Sequence, residues 1–432
     1  MTKEYKIIYY YADNGKAIYL DDESDEVHDM DILEINKPLN KLHPFRLLLN
    51  YDKTIDDLIR FKREFSILCQ ELRNTSIKTK SKKYFSINYK KYHNHSDAVY
   101  YNWKSYIDTK ILKDMDLIVK HEFNIFENNY NGALITLNLD YKNIITECYS
   151  YDYSSYYPTL LSQMQIPIRE GKLIVLKRID WKNLAFGIYR IKITKFNKRF
   201  TNIFNFCSDN HYTSSMLKCI YEYKDFFELE FELLPPDDEY NYNALIYEYK
   251  DLIRGRDLFG NWLKDMLIVK QKLLKNSLVK HLLSTLAGTL YSYKKLYVDD
   301  IDGMDISFVG NLDDTKYKIL KMSDHGQYKI VETNNAYKYK LARIKPFLIG
   351  LGRIHMLKLI MKNNLIDNVV AIHTDRVTLN KPFDFSKEKY YPTFEEKSSG
   401  TIRFDNAVRY YHICKKCNSD YKFQYGCKKC KL

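Results

Sequence analysis

The stretch CYSYDYSSYYPTLLSQM, residues 148–164, constrains the chain more than any other. An apolar, β-prone segment runs to Asp152 and gives way within a few residues to one that reads as a helix. A carboxylate therefore stands at a strand end, where the backbone changes direction. A second such place lies more than two hundred residues further on. In NVVAIHTDRVTL, residues 368–379, two β-branched runs flank His373, Thr374 and Asp375, the pattern of a strand–turn–strand hairpin with a carboxylate at its tip. Taken singly, each aspartate reads as a turn former or cap. Displayed at adjacent strand ends of one sheet, the two can instead hold a pair of divalent cations. Such a pair activates an attacking hydroxyl and stabilises a leaving pyrophosphate.

A length of 432 residues exceeds one small core and points to two to four sub-domains. Forty tyrosines and a heavy load of lysine and asparagine reflect base bias in part, so aromatic content carries no functional claim. The formal charge of +13 implies a positive face, whose usual partners are nucleic acid or an anionic membrane. No apolar run reaches membrane-spanning length, and MTKEYKIIYYYADNGK is neither a secretory signal nor an arginine-rich transit peptide. The expectation is an intracellular protein without a membrane partner, in a host cytoplasm, a viral factory or an organelle carrying a linear element. Cys69, Cys148, Cys207 and Cys219 lack motif spacing and read as buried free thiols. The acidic run 21–31 and the basic, aromatic-interleaved run 78–91 read as solvated faces or loops.

Apolar positions near the helical period, from Leu258 to Leu274, predict a helix over 257–275, with Asn276 and Ser277 as a cap and a second helix over 278–289. This helical hairpin carries Lys264, Lys270, Lys272 and Lys280. From Pro346 a further amphipathic helix runs to Asn363 and Asn364, where asparagine can take a left-handed cap. There is no solenoid-length repeat and no proline-rich linker. In the tail CKKCNSDYKFQYGCKKC, Cys414, Cys417, Cys427 and Cys430 form two C-x-x-C pairs nine residues apart, able to supply four thiolates to one structural Zn²⁺. The competing reading is a redox pair.

DYSSYYP (152–158) resembles motif A of family B DNA polymerases, Asp-x-x-Ser-Leu-Tyr-Pro, with Tyr156 in the leucine position. YNGA (130–133) is similar to the Tyr-x-Gly-Gly/Ala element that touches template in the protein-primed branch of that family. KHLLSTLAG (280–288) resembles motif B, Lys-x-x-x-Asn-Ser-x-Tyr-Gly; Ser284 and Ala287 replace the usual asparagine and tyrosine. GLGR (350–353) resembles the helix before motif C, and HTD (373–375) motif C itself, Asp-Thr-Asp. There His373 replaces the first aspartate, and Arg376 stands where serine normally follows. AVRYY (407–411) loosely resembles the primer-gripping Lys-x-Tyr, through Arg409 and Tyr411.

The resemblance implies a right-hand α+β polymerase with an antiparallel palm sheet, helical fingers, a small thumb and a C-terminal zinc ribbon. The expected boundaries are an N-terminal domain 1–128, palm 129–252 and 299–385 with an insertion in each, fingers 253–298, thumb 386–412 and ribbon 413–432. The carboxylate motifs of a proofreading exonuclease are not found in 1–128, which is expected to be a reduced or replaced exonuclease-like region able to bind DNA. By the same resemblance, Asp152 and Asp375 hold two Mg²⁺, and the carbonyl of Tyr153 also reaches a cation. Ser155 and Tyr157 lie beside the incoming nucleotide, with Tyr157 as the steric gate against a 2′-hydroxyl. Lys280, and Lys272 as the second candidate, face its phosphates. Gly288 lets the backbone approach the nascent base pair. Tyr130, Gly132, His373, Thr374, Arg409 and Tyr411 contact DNA. An imidazole at His373 makes Mn²⁺ the alternative to Mg²⁺.

The implied partners are template and primer DNA, deoxynucleoside triphosphates and a terminal protein. The implied function is template-directed, protein-primed DNA synthesis for a viral or linear extrachromosomal genome. Two alternatives stay open. One is a polymerase-like DNA-binding protein without catalysis, for which His373, Arg376, Ser284 and Ala287 speak; the other is a non-templated nucleotidyltransferase.

Overall fold

The structure is a computed structural model and describes residues 9–13, 16–20, 27–31, 95–128, 132–207, 209–238, 240–272, 277–298, 306–307, 316–322, 328–385, 394–414, 417 and 420–421. The chain divides into two compact units, Met1–Ile118 with Arg254–Ala342, and Val119–Ile253 with Arg343–Leu432.

The second unit is built on a seven-stranded sheet. Its strands are β1 (Ile135–Leu137), β2 (Ile145–Tyr153), β3 (Val369–His373), β4 (Arg376–Leu379), β5 (Phe394–Phe404), β6 (Tyr410–Ile413) and β7 (Asp420–Tyr421). Their order is β7-β6-β5-β2-β4-β3-β1, and every neighbouring pair is antiparallel. The strand that carries Asp152 is therefore central. Successive side chains of a strand point to opposite faces, so the alternation in β2 separates two environments. Tyr151 and Tyr153 pack against Phe394, and Tyr151 also against Phe385. On the other face, Cys148 joins a buried cluster with Ala371, Ile402 and Phe404. Further along that face the apolar contacts end: Ser150 and Thr378 share a hydroxyl hydrogen bond of 3.0 Å, and Asp152 follows.

The helices Tyr156–Gln163 and Ile344–Lys362 pack together, and Tyr156 Oη donates to the carbonyl of Gly352 at 2.6 Å. Gly350 permits a second close approach, since a Cβ there would lie 2.7 Å from Thr213 Oγ1 and 3.1 Å from Met216 Sδ. The long helix ends at Lys362 with Asn363 as its cap residue, and Asn364 is left-handed at φ 51°. Its first turn is anchored by charge. Arg343 Nε donates to buried Glu122 at 2.8 Å, and the same carboxylate accepts from Tyr247 Oη at 2.9 Å and from the Gly171 N–H at 3.2 Å. A separate five-stranded sheet, formed by Lys172–Ile174, Gly187–Lys195, His211–Thr213, Glu230–Leu233 and Ala244–Ile246, fills the segment between the Asp152 helix and residue 253.

In the first unit, helices Gly255–Lys272 and Ser277–Leu290 are the two arms of the expected hairpin; residues 273–276, with the cap at Asn276, lie outside the described residues. Helix His95–Lys104 joins them through Trp103, whose ring stacks on Phe259 at 5.1 Å and whose Nε1 donates to the Leu258 carbonyl.

The units and the sheet cut across two of the expected boundaries. Residues 299–342, placed in the palm by resemblance, group with the hairpin in the first unit. Of the thumb expected at 386–412, Phe394–Phe404 and Tyr410–Ile413 are strands of the Asp152 sheet. The cause is pairing: β5 runs beside β2 from Tyr153 to Ile145 and buries Ile402 and Phe404. Each such apolar side chain contributes about 1.5–3 kcal/mol on burial. Cys427, Cys430, Tyr130, Cys69 and the basic run 78–91 lie outside the described residues. Among the described residues no helix is long and apolar enough to cross a membrane.

Candidate active site

Strand β2 extends one residue past Asp152, to Tyr153, and the chain then turns through Ser154 and Ser155. Ser155 is left-handed at φ 56°, and the helix begins directly at Tyr156. Pro158 falls in its first turn, where a missing N–H loses no intrahelical bond. At the other turn Thr374 is left-handed at φ 62°. A non-glycine residue in this region costs on the order of 1–2 kcal/mol and persists where surrounding structure holds it. Both aspartates therefore stand beside tight turns that the sheet maintains.

These turns meet. The Tyr153 N–H donates to the carbonyl of Asp375 at 3.0 Å, so the two aspartates occupy adjacent strand ends. Asp152 is 9% exposed and Asp375 half-buried. In backbone register, a row crosses the sheet from Ile135 through His373, Arg376 and Asp152 to Glu395. Directly opposed residues share a face, so His373, Arg376 and Asp152 line one side of this end of the sheet. His373 is exposed at the hairpin tip. Arg376 extends along the face, and its Nη1 donates to Tyr410 Oη at 2.8 Å. Burial, with the Arg376 charge as the second cause, holds the nearby His412 imidazole below its usual pKa.

The carboxylates of Asp152 and Asp375 and the carbonyl of Tyr153 offer oxygen donors only. That is the chemistry a hard dication takes. Among the described residues no group of three or more His, Cys, Asp or Glu could hold an ion. The set fits Mg²⁺, which binds one or two protein carboxylates and completes its shell with water and substrate phosphates.

Tyr156, in the leucine position of the motif, is 2% exposed and stacks on Tyr153 at 4.8 Å. Tyr157 is half-buried, edge-on to Tyr156 at 5.5 Å. Arg353 is a residue to which the sequence analysis gave no role. It is 3% exposed, and its Nη2 donates to the Gly132 carbonyl at 2.7 Å and its Nη1 to the Asn205 carbonyl at 3.2 Å. It thus holds the exposed Gly132 of the YNGA segment against the long helix. The signal was present, because a guanidinium on an apolar, glycine-bearing helix needs backbone carbonyls when no acid is near.

Other expected site residues belong to other elements. Lys272, Lys280, Ser284 and Gly288 are exposed on the hairpin of the first unit, and Ala287 is buried there. A Cβ on Gly288 would meet nothing within 4 Å among the described residues, whose packing does not demand glycine there. Arg409 is exposed in the turn between β5 and β6. Tyr411 lies under Arg403, whose guanidinium is 5.5 Å from its ring centre, whereas its neighbour Tyr410 is the residue bonded to Arg376 of the Asp152 row. Cys414 is buried and Cys417 half-buried.

The fold is a mixed α/β one that resembles a right-hand polymerase. The particular likeness is to solved structures of Phi29 DNA polymerase. The complex with primer-template DNA and incoming nucleotide substrates matches with TM-score 0.54 at 13% identity, over 86% of this chain and 65% of that one. The complex with single-stranded DNA matches with TM-score 0.54 at 12% identity, over 85% and 60%. The orthorhombic crystal form matches with TM-score 0.54 at 10% identity, over 95% and 87%. The chain thus spans less than two thirds of the length of the first two. No family model matches the sequence, and no curated protein does. At this identity the likeness is one of fold.

Proposed function

We propose that the chain is a template-directed DNA polymerase working by nucleotidyl transfer at Asp152 and Asp375. The observation that carries this reading is the backbone hydrogen bond from Tyr153 to Asp375, which brings the two aspartate-bearing turns to adjacent strand ends in a fold like that of a right-hand polymerase. Asp152, Asp375 and the Tyr153 carbonyl would hold two Mg²⁺. When bound, the ions lower the pKa of a primer 3′-hydroxyl and offset the charge of the departing pyrophosphate. Tyr157 lies under the sugar of the incoming nucleotide, and Ser155 sets the start of its helix. Lys280, Lys272 and Gly288 keep the roles that the resemblance carries to them at the triphosphate and the nascent pair. Tyr130, Gly132, His373, Thr374, Arg409 and Tyr411 contact template or primer. Priming by a terminal protein, on a viral or linear extrachromosomal genome, rests on the likeness of YNGA to the protein-primed branch. A structural Zn²⁺ on Cys414, Cys417, Cys427 and Cys430 completes the proposal.

One observation favours a second reading, a DNA-binding protein without catalysis. His373 and Arg376 together remove one anion and add one cation at the hairpin, relative to Asp-Thr-Asp-Ser. Primer extension on a heteropolymeric template separates the readings. Products whose sequence follows the template support the polymerase; untemplated addition or no addition contradicts it.

A further inference from the structure

We infer that Arg376 binds a phosphodiester of the primer strand, just behind the nucleotide that carries the attacking hydroxyl. The inference rests on the proposed polymerase reading and assigns a contact that the motif resemblance, with serine in this position, does not supply.

Arg376 is the β4 residue directly opposite Asp152, so its side chain starts from the same face and the same end of the sheet. Its guanidinium does not stay there. It reaches Tyr410 on β6, two strands beyond β2 in the sheet order. Tyr410 pairs with Phe404, at the opposite end of β5 from Phe394, which faces Tyr153. The charged head is thus drawn down the sheet face, away from the turn that leads to Tyr157. A nucleotide held at Asp152 and Tyr157 occupies the turn end, and the strand it extends must leave in the other direction. The head lies on the primer's side.

Its bonding is incomplete in a way that suits an external anion. A guanidinium has five N–H donors. Among the described residues, the hydrogen bond that Arg376 makes goes to the neutral Tyr410 hydroxyl, and its Nε is buried without an acceptor. Arg343, Arg190 and Lys345 of this unit are matched by acids, Glu122, Asp237 and Glu127, and Arg353 by two backbone carbonyls. A phosphodiester presents two anionic oxygens that the guanidinium fork can take together.

The test couples a protein change to a DNA change. The full chain binds primer–template duplexes in which each of the last few primer phosphodiesters is replaced, one at a time, by a neutral methylphosphonate. Wild type should lose about ten-fold or more in affinity at one linkage, and R376Q should not respond at that linkage. R376Q should also show a salt slope smaller by about one. R376K keeps the charge but not the fork and should show a reduced coupling; it replaces R376Q if that variant does not fold. Equal losses for wild type and variant at every linkage would overturn the inference, as would a defect confined to nucleotide affinity. If wild type copies templates while the two changes stay additive, the inference alone falls. If wild type binds no primer–template, the polymerase reading falls with it.

Discussion

Two adjacent tyrosines, Tyr156 and Tyr157, have been given different work by one turn. Because Ser155 is left-handed and the helix starts at once, Tyr156 points into the core and bonds the Gly352 carbonyl, while Tyr157 stays half-buried. The proposal places the Tyr157 ring where a ribose 2′-hydroxyl would collide. Tyr157→Val should therefore raise ribonucleotide incorporation relative to deoxyribonucleotide by roughly ten- to a hundredfold, the range that small steric differences in a pocket supply. Tyr156→Phe should leave that ratio unchanged and cost about 1 kcal/mol through the lost buried hydrogen bond. Steady-state incorporation of matched nucleotide pairs measures the first effect and denaturant melts the second. A ratio unmoved by Tyr157→Val would return that ring to a packing role.

Elements differ in how far they could be read in advance. The β3–β4 hairpin, the long helix with its left-handed Asn364 and the arms of the helical hairpin follow from periodicity and end signals within one segment. Strand β5 does not. Its sequence, FEEKSSGTIRF, lacks apolar alternation, and the register shifts between Glu396 and Ser398, so the period that would mark it is broken. The same holds for the site. Each turn with its aspartate was legible, but the row His373–Arg376–Asp152 exists only through pairing of strands more than two hundred residues apart. The bond from Arg376 to Tyr410 likewise depends on where β6 joins the sheet.

Two element-scale predictions concern buried charge. Arg343 and Glu122 are both fully buried, and Arg343→Met would leave a carboxylate with only the Tyr247 hydroxyl and one N–H. A loss of about 3–5 kcal/mol is expected. With Glu122→Gln added, the double variant should lose less than the sum of the two single ones. Additive losses in chemical denaturation would show that the pair is not coupled. In the five-stranded sheet, burial, followed by the charge of Arg190, pushes His211 down to about 3. The folded state then resists a proton that the unfolded chain binds near pH 6.5. Stability should fall as pH drops through the window from about 6.5 towards 3, by about 1.4 kcal/mol per pH unit where the histidine of the unfolded chain is fully protonated. His211→Gln should flatten that slope by about one proton. An identical pH profile for the variant would locate the acid sensitivity elsewhere.

At the scale of the whole molecule, a polymerase-like fold persists at 10–13% identity. Such a fold needs apolar faces of the right period and a few short turns, and most surface positions are free to change. The proposed zinc site belongs to this scale as well. Four thiolates on one ion would supply folding energy to the segment that carries them. Metal analysis of purified protein should find one zinc per chain, and Cys427→Ser should lose it while the Asp152 sheet stays folded. Full-length protein without zinc would contradict the ribbon.

Under the proposed function, Asp152 and Asp375 form one metal-dependent centre for templated synthesis. The most direct measurement is primer extension on a heteropolymeric template with Mg²⁺, alongside primer–template binding, for wild type, Asp152→Asn and Asp375→Asn. Each substitution removes one ligand charge and little volume. Wild type should copy the template, and both variants should lose extension by several orders of magnitude while binding DNA almost as tightly. Near-normal extension by either variant, or no templated extension by wild type, would contradict the account.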